Sequence, residues 1–188
     1  KTLGADMISV SGHKVHAPKG IGALYIRQGL KLPAHILGGG QEEGLRSGPE
    51  PMPQIAAFGE AVRIAKAEMP EANKRMEALR AQCVQTLTDT VPGIVFLGGG
   101  SAHILSLSLP GYRSEVLMNY LEAKGIYVSK SSACKRGKRS HVLEAIGAPD
   151  KVIDGALRVS FSRYTTAEEC VSFCEALAAA RKELYPSL

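Results

Sequence analysis

The chain has 188 residues, 45% of them hydrophobic and 22% charged, with a formal net charge of +5. These are ordinary globular values, enough for a real core in one or two domains. No apolar run approaches the length of a membrane helix, and a modest, dispersed positive charge does not by itself argue for a nucleic-acid binder. The first residue is Lys1, not methionine, so a longer natural chain is expected; no signal peptide is visible. The 4 cysteines, Cys83, Cys134, Cys170 and Cys174, show no CxxC spacing. Neither a zinc site nor a disulfide framework is expected, and free thiols point to a reducing cytoplasm.

Met7, Ile8 and Val10 predict a strand that runs into a Ser11-Gly12-His13-Lys14 turn, and a second strand, 23–27, leaves it. The turn sets Lys14 at the end of a buried strand, beside the hydroxyl of Ser11 and the imidazole of His13. A desolvated lysine serves as a nucleophile or as a Schiff-base former. Ser11 and His13 are suited to hold an anion next to it. The combination suits a phosphate-bearing aldehyde cofactor, pyridoxal 5'-phosphate (PLP). The plain alternative is a glycine turn whose lysine points to solvent.

Residues 31–53 hold Pro33, Gly38 to Gly40, Gly44, Gly48, Pro49, Pro51 and Pro53, a composition that leaves no room for a regular element. A loop of that length is usually functional or covered by a partner. Ile55, Phe58, Ala61, Val62, Ala65 and Met69 then recur at helical spacing, and Pro70 is expected to break or kink the helix. A second helical run follows through Met76, Leu79, Cys83, Val84 and Leu87, and a domain boundary is expected near Pro70.

Beyond Pro92-Gly93 the pattern is that of a small α+β domain. Strands are predicted at 94–97, 103–109, 126–128 and 156–161; 103–109 alternates with period two from Leu105 onward, one face buried and the other small and polar. Ser114 is read as the cap of a helix closed by Gly125, and Ser140 as the cap of a short helix closed by Gly147. Thr166 with Glu169 forms a capping box ahead of a final amphipathic helix.

Cys134 stands between hydroxyls and four cations, Lys135, Arg136, Lys138 and Arg139. Neighbouring positive charge lowers a thiol pKa, so Cys134 reads either as a nucleophilic or redox cysteine or as an incidental surface thiol. Arg158 lies inside an apolar strand, where its charge must be matched. It reads either as a clamp for a substrate carboxylate or as half of an internal salt bridge. Cys83, Cys170 and Cys174 are read as packing residues, and His16, His35, His103 and His141 as isolated histidines.

Taken together, these stretches resemble the C-terminal half of a cysteine desulfurase of the class-V aminotransferase family, and the resemblance covers nearly the whole chain. Its motifs fall in the family's order: Ser11-Gly12-His13-Lys14 with Pro18-Lys19-Gly20-Ile21-Gly22; Gly38-Gly39-Gly40-Gln41-Glu42 through Arg46-Ser47-Gly48; Ser132-Ala133-Cys134; and Arg158-Val159-Ser160-Phe161 before Tyr164-Thr165-Thr166. The resemblance implies an α/β fold: the end of a fold-type I PLP-transferase large domain over 1–68, then a small α+β C-terminal domain over 69–188. It implies that Lys14 carries PLP and shuttles protons, that Ser11 and His13 contact the cofactor phosphate, and that Arg158 holds the carboxylate of L-cysteine. Cys134 would take the sulfur as a persulfide, releasing alanine. A homodimer and a sulfur-acceptor or scaffold protein are the implied partners, with no membrane, no nucleic acid and no metal. The same resemblance leaves a selenocysteine lyase, an aminotransferase, or a truncated, non-catalytic dimerisation or partner-binding piece as rivals.

The sequence departs from that family in three places. The N-terminal half, which supplies the phosphate cradle, the ring-stacking histidine and the aspartate facing the pyridine nitrogen, is absent, so this chain alone is expected to be inactive. Pro49, with neither hydroxyl nor N–H, replaces the threonine that reaches the cofactor of the other subunit. The loop after Cys134 is shorter and more basic, with Ser131 in place of a glycine.

Overall fold

The computed structural model describes residues 3–130 and 140–186. The chain forms two compact units, Lys1–Met69 and Pro70–Leu188, each of which is described by itself.

The first unit opens with a two-stranded antiparallel ribbon, β1 (Met7–Ser11) and β2 (Gly22–Ile26), in which Ser11 pairs with Gly22 and Met7 with Ile26. A single turn of 3-10 helix, Gly12–Val15, follows β1. Gly12 is required there: a Cβ would lie 2.9 Å from the Ile21 carbonyl oxygen, to which the Gly12 N–H donates at 2.9 Å. The expectation of a buried strand is not met. Met7 is 48%, Val10 39% and Leu24 55% exposed, because the ribbon has two faces and this unit packs nothing across them. Among the unit's described apolar side chains only Ala17 is buried.

The long loop carries one short turn of 3-10 helix, Glu42–Gly44, where irregular chain was expected throughout. It is pinched at its base, where Ile36 bridges Arg46, His35 N–H donates to the Leu45 carbonyl at 3.1 Å, and Ser47 N–H donates to the Ile36 carbonyl at 3.1 Å. Helix α1 runs from Met52 to Thr90 with Pro70 inside it, so the predicted break does not occur. A proline within a helix removes one hydrogen bond and costs about 3 kcal/mol. The buried stripe that follows, Met76, Leu79, Cys83 and Leu87, offsets that cost and carries the helix through.

The second unit is a four-stranded antiparallel sheet in the order β3 (Val95–Leu97), β4 (Ile104–Ser108), β6 (Ala156–Ser160) and β5 (Ser129–Lys130). The β4–β6 register sets Leu105 opposite Val159 and Leu107 opposite Leu157, so the alternating leucines share one face. That face buries against Leu117 and Leu121 of α2 (Ser114–Glu122), Phe173 and Leu177 of α5 (Ala167–Glu183), and the inner stripe of α1. Each such side chain contributes about 1.5–3 kcal/mol on burial. A smaller cluster, Leu143, Ile153 and Ala156, joins β6 to two short helices, α3 (His141–Ala145) and α4 (Asp150–Asp154).

Three local expectations are corrected. Ser108 does not lie on an open polar face: it is fully buried and donates to the Val152 carbonyl at 2.7 Å, because α4, absent from the sequence reading, closes over that end of β4. Ser114 is not the cap of α2. Arg113 holds the N-cap position, and the Ser114 hydroxyl donates to Glu115 Oε2 at 3.3 Å instead. The strand expected at 126–128 forms instead at Ser129–Lys130. Gly125 at φ +76° closes α2, with Gly125 N–H donating to the Glu122 carbonyl at 2.9 Å and Ile126 N–H to that of Leu121 at 3.0 Å, which commits Ile126 to the helix end.

The capping box is present. Glu169 N–H donates to Thr166 Oγ1 at 3.2 Å, and Thr166 N–H to Glu169 Oε2 at 2.9 Å. Thr166→Ala is expected to cost the second unit about 1 kcal/mol, measured as a lower urea midpoint at unchanged slope. An unchanged midpoint would show that α5 is held by its packing alone.

Candidate active site

Ser11, His13 and Lys14 are brought together on one turn. Ser11 ends β1, and the 3-10 turn then swings His13 and Lys14 outward, leaving all three side chains exposed. His16, at φ +65°, ends the turn, and Ala17 N–H returns to the Gly12 carbonyl at 3.1 Å. The backbone is therefore fixed while the amine, imidazole and hydroxyl remain available. The donor set fits PLP: a primary amine for the aldehyde, with a hydroxyl and an imidazole for a phosphate.

Behind the ribbon lies a cleft of about 990 Å³, lined among others by Gly22, Leu24, His35, Arg46 and Phe58. The Ser11, His13 and Lys14 side chains are not part of its lining.

Arg158 belongs to the second unit. It lies on β6 between Ser106 of β4 and Ser129 of β5, on the face opposite the leucine core. Its Nη2 donates to Ser129 Oγ at 3.4 Å, while its Nε is buried without a partner. Among the described residues Arg158 forms no ion pair, so the internal salt bridge is not observed. A buried guanidinium N–H without an acceptor is costly, and an anionic ligand removes that cost.

Sequence reading missed two neighbours here. Ser129 faces Arg158 across the β5–β6 ladder, and Lys130 is ion-paired with Glu115 of α2, which holds the Glu115 carboxyl below its ordinary range. The available signal was register: had the strand been set at 129–130, Ser129 would have paired with Arg158. Cys134 lies outside the described residues. Cys83, Cys170 and Cys174 are all buried, as packing residues should be. Among the described residues there is no group of three or more His, Cys, Asp or Glu placed to hold a metal ion, and no helix long and apolar enough to cross a membrane.

The first unit thus carries the Ser11-Gly12-His13-Lys14 turn, and the small antiparallel unit carries Arg158 with its buried, unpartnered Nε. The chain belongs to the class-V aminotransferase family, whose model matches residues 1–173. Within the family it is similar to a cysteine desulfurase of Trichormus variabilis, at 40% identity over 90% of this chain and 44% of that one. It is also 44% identical to the cysteine desulfurase IscS of Tolumonas auensis, over 87% of this chain and 42% of the relative. A solved NifS-like protein superposes with a TM-score of 0.86 at 38% identity, covering 97% of this chain and 48% of the other. The chain thus spans about half the length of the relatives it matches.

Proposed function

We propose that this chain is the C-terminal portion of a PLP-dependent cysteine desulfurase, which takes sulfur from L-cysteine as a persulfide on Cys134 and releases L-alanine. The sulfur would pass to an acceptor or scaffold protein for iron–sulfur cluster or thio-cofactor assembly. The observation that carries this reading is the Arg158 guanidinium, whose buried Nε lacks an acceptor and so calls for a carboxylate such as that of an amino acid.

In this reading Arg158 binds and orients the substrate carboxylate, and Ser129 holds the guanidinium by its other edge. Lys14 supplies the amine that holds PLP and carries protons at its Nζ, with Ser11 and His13 donating to the phosphate. PLP, when bound, supplies the electron sink that labilises the bonds of the substrate. Cys134, whose neighbouring cations favour its thiolate, accepts the sulfur. Residues 1–68 belong on this view to the PLP domain and 69–188 to the small domain. The complete protein acts as a homodimer, and its buried free thiols fit the reducing cytoplasm.

The near absence of buried apolar side chains in the first unit favours a companion reading: this chain alone is catalytically inactive until further polypeptide covers that unit. The test is to combine the chain with the N-terminal half of a relative, add PLP, and record the visible spectrum and alanine formation from L-cysteine. A visible band lost in Lys14→Ala, alanine formation lost in Cys134→Ala, and kcat/KM lower by roughly 10²-fold in Arg158→Ala are expected. Alanine formation that survives Cys134→Ala would rule out the desulfurase chemistry.

A further inference from the structure

The second unit holds three thiols that the proposed chemistry does not use. Cys83 comes from α1, and Cys170 and Cys174 come from successive turns of α5, so all three point into the helix–helix seam. They are 1%, 4% and 2% exposed. Cys174 Sγ reaches within 4.0 Å of the Cys83 carbonyl oxygen. A cavity of about 580 Å³, lined by Cys83, Cys170, Ile126, Val159, Phe161 and Phe173 among others, opens beside Cys83 and Cys170, so Cys83 is the member of the pair it reaches.

The three are not equivalent. The Cys174 thiol lies against Cys83, and the interaction of the two thiols draws Cys174 below the ordinary thiol range and pushes Cys83 above it. Burial pushes Cys170 up to about 12, and it is Cys174, not Cys170, whose Sγ makes the contact to the Cys83 carbonyl. A thiol whose proton is released easily beside one that keeps its proton is the electrostatic arrangement of a dithiol pair.

We propose that Cys83 and Cys174 form an oxidisable thiol pair, reached by small hydroperoxides through the adjoining cavity, which closes to a disulfide stapling α1 to α5. The chemistry balances in two steps. One thiol takes an oxygen from the hydroperoxide, becoming a sulfenic acid while the hydroperoxide is reduced to its alcohol. The sulfur of the other thiol then displaces the hydroxyl, which leaves as water with that thiol's proton as the S–S bond forms. Cys170, one turn away, is the spectator. The bond joins residues far apart in sequence and restricts the unfolded chain, so the oxidised unit resists denaturation more strongly than the reduced one.

The test treats the 188-residue chain with tert-butyl hydroperoxide at a dose that fully oxidises Cys134, then labels free thiols with a maleimide in denaturant. In a Cys134→Ser chain given the same dose, labelling is expected to fall from three sites to one. Fragmentation should place that remaining label on Cys170. The intact mass should drop by two hydrogens, and dithiothreitol should restore all three labels. The urea midpoint of the oxidised chain should be the higher. Retention of three labels, a label on Cys174 with Cys170 linked to Cys83, or sulfonic acids in place of the disulfide would each overturn the proposal. Since the mapping needs no substitution of a core cysteine, its outcome does not depend on whether such a variant folds.

Discussion

Limited proteolysis of the 188-residue chain is expected to strip away residues before Met69 and leave the Pro70–Leu188 unit intact. The reason is the unequal distribution of buried apolar surface. The first unit holds a two-stranded ribbon, a long loop and the start of α1, yet Ala17 is its only buried apolar side chain among the described residues. A two-stranded ribbon is marginal in water, and an amphipathic helix half needs a surface to pack on. The second unit buries Leu105, Leu107, Leu157 and Leu177 completely in one core. Local opening therefore costs almost nothing in the first unit, whereas cleavage within the packed strands and helices described for the second requires global unfolding. With a stability of about 5 kcal/mol for the second unit, the difference in cleavage rate is roughly 10³- to 10⁴-fold. Mass spectrometry of the surviving core should place its new N-terminus between Met69 and Met76, where burial along α1 begins. Equal cleavage rates in both units would refute this account. Protection of residues 1–50 by the N-terminal half of a relative would identify what covers the ribbon.

Leu107→Ala is expected to destabilise the second unit by about 2–5 kcal/mol, read from urea unfolding of the unit's circular dichroism. Leu107 is fully buried on a central strand, with Leu157 across one ladder and Phe96 across the other, so removing its side chain leaves a cavity that the sheet cannot collapse into. A loss of that size approaches the whole stability of a small domain, so a substantial unfolded fraction should appear without denaturant. The matching change in the ribbon, Leu24→Ala, should shift the same transition by less than about 0.5 kcal/mol, because Leu24 is 55% exposed. Similar effects from both substitutions would mean that the ribbon is packed in solution.

Much of the small unit was legible in the sequence because its signals are local. Leu105, Leu107 and Leu109 alternate, Thr166 and Glu169 stand three apart, and Gly125 and Gly147 follow helical runs; each pattern has one low-energy backbone solution. Three readings failed where a distant group decided. Pro70 reads as a break or kink, yet α1 is not broken there because Met76, Leu79, Cys83 and Leu87 gain a core built from residues far along the chain. Ser108 reads as solvent-facing until α4 covers it. Ile126 to Val128 read as a strand, yet closure of α2 takes Ile126 and pairing begins only at Ser129.

The candidate site divides along the same line. By itself the sequence determined which groups are available: an amine, an imidazole and a hydroxyl within four residues at Lys14, His13 and Ser11, a guanidinium at Arg158, and a thiol among cations at Cys134. Residue type and close spacing are enough for that, since a short turn can bring only near neighbours together. Tertiary structure alone decided that Ser129 meets Arg158, that the guanidinium keeps a buried Nε without an acceptor, and that Cys83 lies against Cys174. Those contacts join residues dozens of positions apart, and their existence depends on strand register and helix packing, which are set by the whole core rather than by any local run of residues.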